Sequence, residues 1–323
     1  MARHTILGKG PIGRSLATHL ASQGHEVHVL SRSGPLPGTP PHQEHGAGSI
    51  TQHRVDGTDP DALTARTQGA AALYNCVNPA YHRWPVDWPP VAAALLTTAE
   101  RTGAVLVTAG NLYAYGAGNH HMHEDDPLAT RETKGRVRAR LWADALARHE
   151  AGAIRTTEVR GSDYLGPYAE AHAHAGPRML TPLLAGRVLR PVGAADQPHT
   201  WTYLPDFAAA LARAATTPGA WGRPWHVPSP EPLTYRQLAQ RFATAAGAPA
   251  PRISPIPLAA VRALGLVQPM LREIHAVGYQ FVEPFVADDV ASRRALGLEP
   301  TPWDTIVPET LAAHRSTRPA AVR

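Results

Sequence analysis

The stretch His4-Thr5-Ile6-Leu7-Gly8-Lys9-Gly10-Pro11-Ile12-Gly13 decides the fold of this chain. Its first half is a short apolar run over residues 4–8, and apolar residues recur at helical spacing after the glycines, which predicts a strand, a tight turn and a helix. The glycines follow the pattern G-x-G-x-x-G, in which the first permits the turn, the second lets the backbone approach a pyrophosphate and the third permits close helix packing. The helix N-terminus adds positive potential. The turn therefore predicts a dinucleotide site that consists of Gly8, Lys9, Gly10, Pro11, Ile12 and Gly13.

Further strand and helix patterns alternate along the first half of the chain. Strands are predicted at 25–30, 50–55, 71–77, 104–108 and 153–160, and the longest helix between them is predicted at 130–149. This alternation is typical of βαβ units and a parallel sheet, so the expected fold class is α/β with a doubly wound Rossmann sheet. After Pro167 the segments become shorter and richer in proline, and they interrupt and cap the sheet.

The composition is that of a globular protein that is expected to be soluble. Of the 323 residues 43% are apolar and 18% charged, and the net charge is +5. The basic residues do not form a stripe interleaved with aromatic residues, so no nucleic-acid partner is expected. No apolar run approaches the roughly 18 residues that span a bilayer, and none precedes Gly8 as in a signal peptide. With Cys76 as the single cysteine, a reducing, cytoplasmic location is expected.

The end of the second predicted strand bears on the choice of nucleotide. Sites that prefer NAD place an acid there to hold the ribose 2′-hydroxyl. This chain has Ser31-Arg32-Ser33 instead, and a guanidinium beside hydroxyls suits a 2′-phosphate. NADP is therefore the expected cofactor, and NAD is possible. The alternative is that Arg32 is an ordinary exposed arginine of the loop.

Three other loops are expected to meet the dinucleotide. Asp56, followed by Gly57, comes after the third strand and is placed to accept from an adenine amino group, whereas Asp59 is expected to cap a helix. Asn78 follows the fourth strand and either contacts a ribose or forms a simple turn. Ser162 follows the sixth strand.

Lysine is rare in this chain, which has two lysines among its 31 basic residues. One is Lys9 in the glycine-rich turn, and the other is Lys134 at the start of the long predicted helix. An ammonium can lose its proton when it is desolvated, whereas a guanidinium effectively cannot. Lys134 is therefore the first candidate for acid–base chemistry, with chance as the alternative explanation.

The chain resembles the extended and atypical short-chain dehydrogenase/reductases, the NAD-dependent epimerase/dehydratase superfamily. Besides the glycine turn, three segments carry the resemblance: Asn111-Leu112-Tyr113-Ala114-Tyr115-Gly116, Arg160-Gly161-Ser162-Asp163-Tyr164-Leu165-Gly166-Pro167 and Thr202-Tyr203-Leu204-Pro205-Asp206. The resemblance implies a Rossmann core and a smaller C-terminal substrate-binding lobe, often dimerised through helices. We expect the core over residues 1–166 and most of the lobe over 167–323, with segments near 199–228 returning to the core. A homodimer is expected on the same basis.

The resemblance breaks down at the catalytic residues. The family has Ser or Thr after the fifth strand and Tyr-x-x-x-Lys on the next helix, whereas this chain has Asn111 at the first place, and Lys134 and Arg138 at the second. Positions i and i+4 share a helix face, so both cations are expected to point into one space. The hypothesis is that Lys134 is a general acid or base, that Arg138 favours loss of its proton and that Asn111 donates to the same oxygen.

Two alternatives stay open for the cationic pair. Lys134 and Arg138 are either surface charges that complement Glu132 and Asp144, or an anchor for an anionic substrate without proton transfer. Tyr113 is a second-rank acid, and Tyr115 is expected to pack under the sheet edge.

Several further residues are candidates for substrate contact. Asp163 either orients the loop beside the nicotinamide or caps a turn, and large aromatic residues either line a cavity or fill the core. The tract from His120 to Asp126 is expected to be a polar loop without a metal, and Cys76 an inert core thiol. The candidates for the substrate cavity are Trp84, Asp163, Tyr164, Trp201 and Tyr279.

Together these expectations indicate an NADP-dependent oxidoreductase that acts on a small organic carbonyl, an alcohol or an activated sugar, with Lys134 in place of the usual Tyr. One alternative is a redox-neutral epimerase, dehydratase or cyclase that uses bound nucleotide. The other is a non-catalytic regulator that binds NADP.

Overall fold

The computed structural model describes residues 1–36, 39–170 and 173–316. The strands of five or more residues all lie before residue 162, where strand and helix patterns alternate in the sequence, and the strands after that point have two or three residues each. The strands are β1 (Arg3–Leu7), β2 (Glu26–Ser31), β3 (His42–His45), β4 (Gly48–Arg54), β5 (Ala72–Asn75), β6 (Val105–Asn111), β7 (His121–Met122), β8 (Thr156–Gly161), β9 (Asp163–Leu165), β10 (Trp201–Tyr203), β11 (Pro224–His226) and β12 (Val286–Ala287).

The helices begin where local chemistry favours a first turn. Proline occupies the first turn of α1 and α2, and the Asp59 carboxylate caps α2 by accepting from the backbone of Asp61 and Ala62, which confirms that prediction. The helices are α1 (Pro11–Ser22), α2 (Pro60–Thr67), α3 (Trp84–Thr102), α4 (Thr133–Glu150), α5 (Pro177–Leu184), α6 (Leu204–Thr216), α7 (Tyr235–Ala246), α8 (Leu258–Gly265), α9 (Pro269–Ala276), α10 (Val290–Leu296) and α11 (Trp303–Ser316).

Eight of these strands form the central sheet, in the order β11-β8-β6-β5-β1-β2-β4-β3. All pairings are parallel except that of β3 with β4, a hairpin within the loop expected at 34–48. The sheet is wound in both directions from β1, because β2 lies on one side of it and β5 on the other. The doubly wound Rossmann prediction is confirmed, and the crevice for a ligand is expected where the strand order reverses, at the carboxyl ends of β1 and β5.

Helices cover both faces of the sheet because its central strands are apolar on both sides. Every residue of β5 is buried, as expected for a central strand of a parallel sheet that is covered on both faces. One core cluster joins the sheet to α1 and α6, and a second joins it to α3 and α4. The helices thus cover the two faces of the sheet and leave the carboxyl ends of its strands open. This side of the sheet is called the open edge below.

The second half of the chain contributes partly to this sheet and partly to a separate cluster. Strand β11 extends the sheet beside β8, and α6 packs on α1. Helices α5, α7 and α11 surround a third core cluster that includes Leu180, Phe242 and Trp303. We propose on this basis a core over 1–166 and a lobe over 167–323 whose segments near 199–228 return to the core. None of the helices in the described ranges is both long and apolar enough to cross a bilayer.

Candidate active site and dinucleotide site

In the turn between β1 and α1, each glycine is required for a different physical reason. Gly8 has φ +114°, and a Cβ there would lie 2.5 Å from the Cys76 carbonyl oxygen. A Cβ on Gly13 would lie 2.0 Å from the carbonyl oxygen of Gly8, so this glycine lets α1 approach the turn. Gly10 precedes the first turn of α1, and nothing lies within 4 Å of its Cβ position. This open space at a helix N-terminus fits a pyrophosphate, which a side chain would displace.

The loop after β2 holds the cationic residues Lys9 and Arg32 close to the position predicted for a nucleotide ribose. The Lys9 ammonium donates to the Gly34 carbonyl oxygen at 2.7 Å and to that of Pro35 at 3.3 Å. The Ser31 hydroxyl donates to the same Gly34 oxygen at 2.9 Å. Arg32 is exposed beside this braced loop. Lys9 therefore fixes the loop that presents Arg32.

The other predicted cofactor residues lie in different surroundings. Asp56 is exposed, accepts from Thr58, and has its pKa lowered by these hydrogen bonds and by Arg32. Gly57 lies against Leu7, and Asn78 is exposed after β5.

Two residues complete the predicted cofactor set. Ile12 packs against the core cluster beneath the turn. Ser162 lies on the lobe side of the sheet edge, where its backbone N–H donates to the Thr202 hydroxyl at 2.8 Å.

Lys134 is buried near the N-terminus of α4 and is held by a residue far along the chain. Its side chain is 2% exposed. The ammonium donates to Glu273 twice, to the carboxylate at 2.6 Å and to the main-chain carbonyl at 2.9 Å. It also lies 5.5 Å from the centre of the Tyr81 ring. The surface-charge alternative is wrong for Lys134, because the side chain is removed from water and paired with a carboxylate from α9.

Arg138 is buried beside two tryptophans of α3 and lies within electrostatic range of Tyr81 and Tyr113. Its guanidinium carbon lies 4.9 Å from the ring centre of Trp84 and 4.6 Å from that of Trp88. Its Nη1 donates to the Ala109 carbonyl oxygen at 3.2 Å. Burial lowers the pKa of this guanidinium. The guanidinium stacks on the two indoles, a contact that the i, i+4 spacing could not indicate.

A pair of phenols lies beside Lys134. The hydroxyls of Tyr81 and Tyr113 are 3.2 Å apart, on the loops that follow β5 and β6. Burial raises the pKa of Tyr113 well above its ordinary value, and nearby Tyr81 and Asp163 raise it further. Tyr113 is therefore protonated at neutral pH and acts as a hydrogen-bond donor.

Asn111 shapes the same loop. Its Oδ1 accepts from the backbone N–H of Tyr113 at 3.2 Å and caps the turn after β6. This leaves the other end of the amide, Nδ2, as a donor.

Asp163 and His199 form the lobe side of the site. His199 Nε2 lies 3.0 Å from the Asp163 carboxylate, and its Nδ1 lies 3.3 Å from the main-chain oxygen of Gln280. Burial opposes ionisation of Asp163, but His174 and His199 together hold the pKa of that carboxyl below its usual value. Asp163 is therefore a carboxylate close to the phenol pair.

The aromatic residues predicted to line the substrate cavity divide into two groups. Burial raises the pKa of Tyr164 to about 12, with Tyr81 and Asp163 close by. The Tyr279 hydroxyl is buried without a hydrogen-bond partner in the described part of the chain. Trp84 and Trp201 are 0% and 2% exposed and donate to main-chain carbonyls. These two tryptophans belong to core clusters, which was the alternative for the large aromatic residues.

Residues that the sequence did not single out complete the site. Tyr81 was detectable in principle, since it follows β5 only a few residues after Asn78, at the open edge of the sheet. Glu273, Gln280 and His199 carry no local signal. They belong to short segments of the second half, and only the packing of those segments brings them to α4 and β9.

Two other predictions concern groups outside this site. Cys76 is buried, and burial raises the pKa of its thiol to about 12, so the prediction of an inert thiol is confirmed.

In the tract from His120 to Asp126, the Asp126 carboxylate accepts from Asn119 and from the backbone of His123. Among the described residues no group of His, Cys, Asp and Glu side chains could hold a metal ion.

Comparison with known proteins agrees with this geometry. The sequence model of the NAD dependent epimerase/dehydratase family matches residues 5–227. No curated protein matches the sequence. The dTDP-glucose 4,6-dehydratase of Bacillus anthracis in complex with NAD is 15% identical over 98% of both chains, with a TM-score of 0.80.

A second solved structure gives a similar result. The UDP-N-acetylglucosamine 4-epimerase of Methanobrevibacter ruminantium is 14% identical over 98% of this chain and 99% of its own, with a TM-score of 0.78. At these identities the likeness establishes the fold.

Proposed function

Because the chain belongs to the NAD dependent epimerase/dehydratase family, we propose that it is an NADP-dependent oxidoreductase of the short-chain dehydrogenase/reductase type. Its substrate would be a small organic carbonyl, an alcohol or an activated sugar. The observation that carries the proposal is the Lys134 ammonium, buried beside two phenols at the carboxyl edge of a sheet whose glycine turn has room for a pyrophosphate. Nucleotide sugars appear in the names of the structural neighbours, which supports the activated-sugar class.

The residues at the turn fit a dinucleotide. The space at Gly10 and the N-terminus of α1 would hold the pyrophosphate, and the loops after β2 and β4 would hold the adenosine half. When bound, the nicotinamide supplies or accepts a hydride. Arg32 beside the loop braced by Lys9 supports NADP over NAD, because a guanidinium pairs well with a 2′-phosphate.

The chain's own groups would handle the substrate oxygen and its proton. Lys134 is the proposed proton donor to that oxygen in the reduction direction and the acceptor in the reverse direction. Tyr113 and Asn111 Nδ2 are the proposed hydrogen-bond donors to the same oxygen. Asp163 and Tyr164 are the proposed contacts for substrate hydroxyls. Arg138 is assigned to the support of this edge, because it is stacked on tryptophans.

The test is consumption of NADPH with a panel of carbonyl compounds and nucleotide sugars. The wild-type protein is expected to oxidise NADPH in stoichiometric amounts with product. Lys134→Met should lower kcat by about 100-fold or more, with the affinity for NADPH unchanged. Full turnover by Lys134→Met would remove Lys134 from the reaction.

A redox-neutral reaction is the second candidate, favoured by the epimerases and dehydratases among the structural neighbours. Conversion of a nucleotide sugar without net change in NADPH would select it. Binding of NADPH with no conversion of any compound would instead indicate a regulatory protein.

A further inference from the structure

The helices α8 and α9 form a hairpin that brings one carboxylate to Lys134. None of the eight residues of α9 is fully buried, and α8 buries only Val261 and Gly265. Even so, Glu273 from α9 reaches an ammonium that is only 2% exposed, while its own side chain is 20% exposed. The second half of the chain thus supplies the counter-ion of the candidate proton donor.

Glu273 is the one carboxylate in direct contact with this ammonium among the described residues. The loop after β5 contributes the Tyr81 ring, and the loop after β6, which packs on α4, contributes the protonated Tyr113. On α4 itself, Arg138 lies one turn further along, stacked on tryptophans. An opposite charge within about 4–6 Å favours the charged form of an ionisable group. Glu273 therefore compensates the charge of the buried ammonium.

We infer that Glu273 is a positioning residue for Lys134, which holds two of the three ammonium donors, balances the charge of the nitrogen and leaves one N–H for the substrate oxygen. The inference rests on the proposed function. In the reduction direction a Lys134 N–H bond breaks as the substrate O–H bond forms. The neutral amine then regains a proton from water, with Glu273 favouring its return.

The first experiment compares the pH dependence of kcat for Glu273→Gln and the wild type. The glutamine keeps the side-chain length and the main-chain carbonyl but removes the charge. Since the reaction needs the ammonium, activity is lost as pH rises, and in Glu273→Gln this loss should occur about one pH unit or more lower. At a pH between the two transitions kcat should fall about tenfold. The KM for NADPH should stay unchanged.

Two variants control this measurement. Glu273→Asp restores the charge and should recover part of the wild-type pH profile. Glu283→Gln removes a carboxylate of the same lobe that accepts from the Gly118 backbone and pairs with His120, whereas the carboxylate that pairs with Lys134 is Glu273. It should keep the wild-type profile. A Glu273→Gln profile that coincides with the wild-type profile would overturn the inference.

The second experiment observes the amine directly, because the chain has only two lysines. Protein labelled with ¹³Cε-lysine should show two lysine signals, which Lys9→Arg assigns. The Lys134 signal should titrate about one pH unit or more lower in Glu273→Gln than in the wild type.

Identical titration of Lys134 in the two proteins would refute the role of Glu273 but would leave the proposed function standing. A wild type that oxidises no NADPH would instead overturn the proposed function, and with it the proton-donor role. The two failures are therefore distinguishable.

Discussion

The guanidinium of Arg138 lies 4.6 Å from the ring centre of Trp88. The same guanidinium lies 4.9 Å from the ring centre of Trp84, which is on α3 like Trp88. It also donates to the main-chain oxygen of Ala109 on β6. The Arg138 side chain thus links α4, α3 and β6 below the candidate active site. We therefore expect Arg138 to stabilise helix α4, which carries Lys134 one turn before it.

Replacing Arg138 by lysine should therefore destabilise the fold. An ammonium is compact and strongly hydrated, and it cannot stack its plane on two indoles while bonding the Ala109 oxygen. We expect a loss of about 1–3 kcal/mol in the free energy of unfolding, measured with urea. Arg140→Lys is the matched control, because Arg140 is 82% exposed on the same helix and should leave stability unchanged. Equal stabilities for the two variants would contradict the structural role.

Alanine at two glycines of the turn should separate folding from binding. A Cβ on Gly13 would lie 2.0 Å from the Gly8 carbonyl oxygen, so Gly13→Ala should lower the free energy of unfolding by about 3 kcal/mol. Gly10→Ala meets no atom within 4 Å and should unfold like the wild type. Its affinity for NADPH should nevertheless drop about tenfold or more, because the methyl group fills the pyrophosphate space. Calorimetric titration tests this, and undiminished affinity in Gly10→Ala would count against the site.

Arg32→Ala should change the preference between the two nicotinamide cofactors. Loss of a charge-assisted hydrogen bond to a 2′-phosphate would lower the affinity for NADPH by about tenfold to 100-fold. The affinity for NADH, which lacks that phosphate, should stay the same. Arg66→Ala removes another exposed arginine, at the end of α2, and serves as the control. If Arg32→Ala weakened both cofactors equally, the 2′-phosphate assignment would be wrong.

The folded protein should lose stability as the pH falls below about 6.5. Burial, and secondarily the charge of His25, lower the pKa of His4 from 6.5 to about 4. Burial also lowers the pKa of His226. Between pH values of about 4 and 6.5 the unfolded chain binds protons at these histidines that the folded chain does not, so the free energy of unfolding rises with pH across this window. For His4 the full effect is about 3 kcal/mol.

Urea unfolding at several pH values between 4 and 7.5 measures this dependence. His4→Gln should flatten the slope in this window, because it removes the titrating group. His42→Gln replaces a half-exposed histidine on β3 and should keep the wild-type slope. A wild-type stability that does not change over this range would show that folding leaves the pKa of His4 unchanged.

The local part of the fold could be predicted because it depends on neighbours in sequence. The apolar run before Gly8, the helical spacing after Gly13 and the capping Asp59 each act over a few residues, and all three lie where expected. The strand β3 was not predicted. It is a polar run, His-Gln-Glu-His, stabilised only by pairing with β4 at the edge of the sheet.

The sequence by itself determined the doubly wound sheet and the turn for a dinucleotide, because periodicity and glycine geometry are local properties. It also singled out Lys134 through the rarity of lysine. Only the tertiary structure decided the surroundings of that ammonium, in which Glu273 arrives from 139 residues away and Arg138 stacks on the tryptophans of α3. The physical reason is that the charge and hydrogen bonding of a buried group depend on whatever packs against it, and sequence distance places no limit on that.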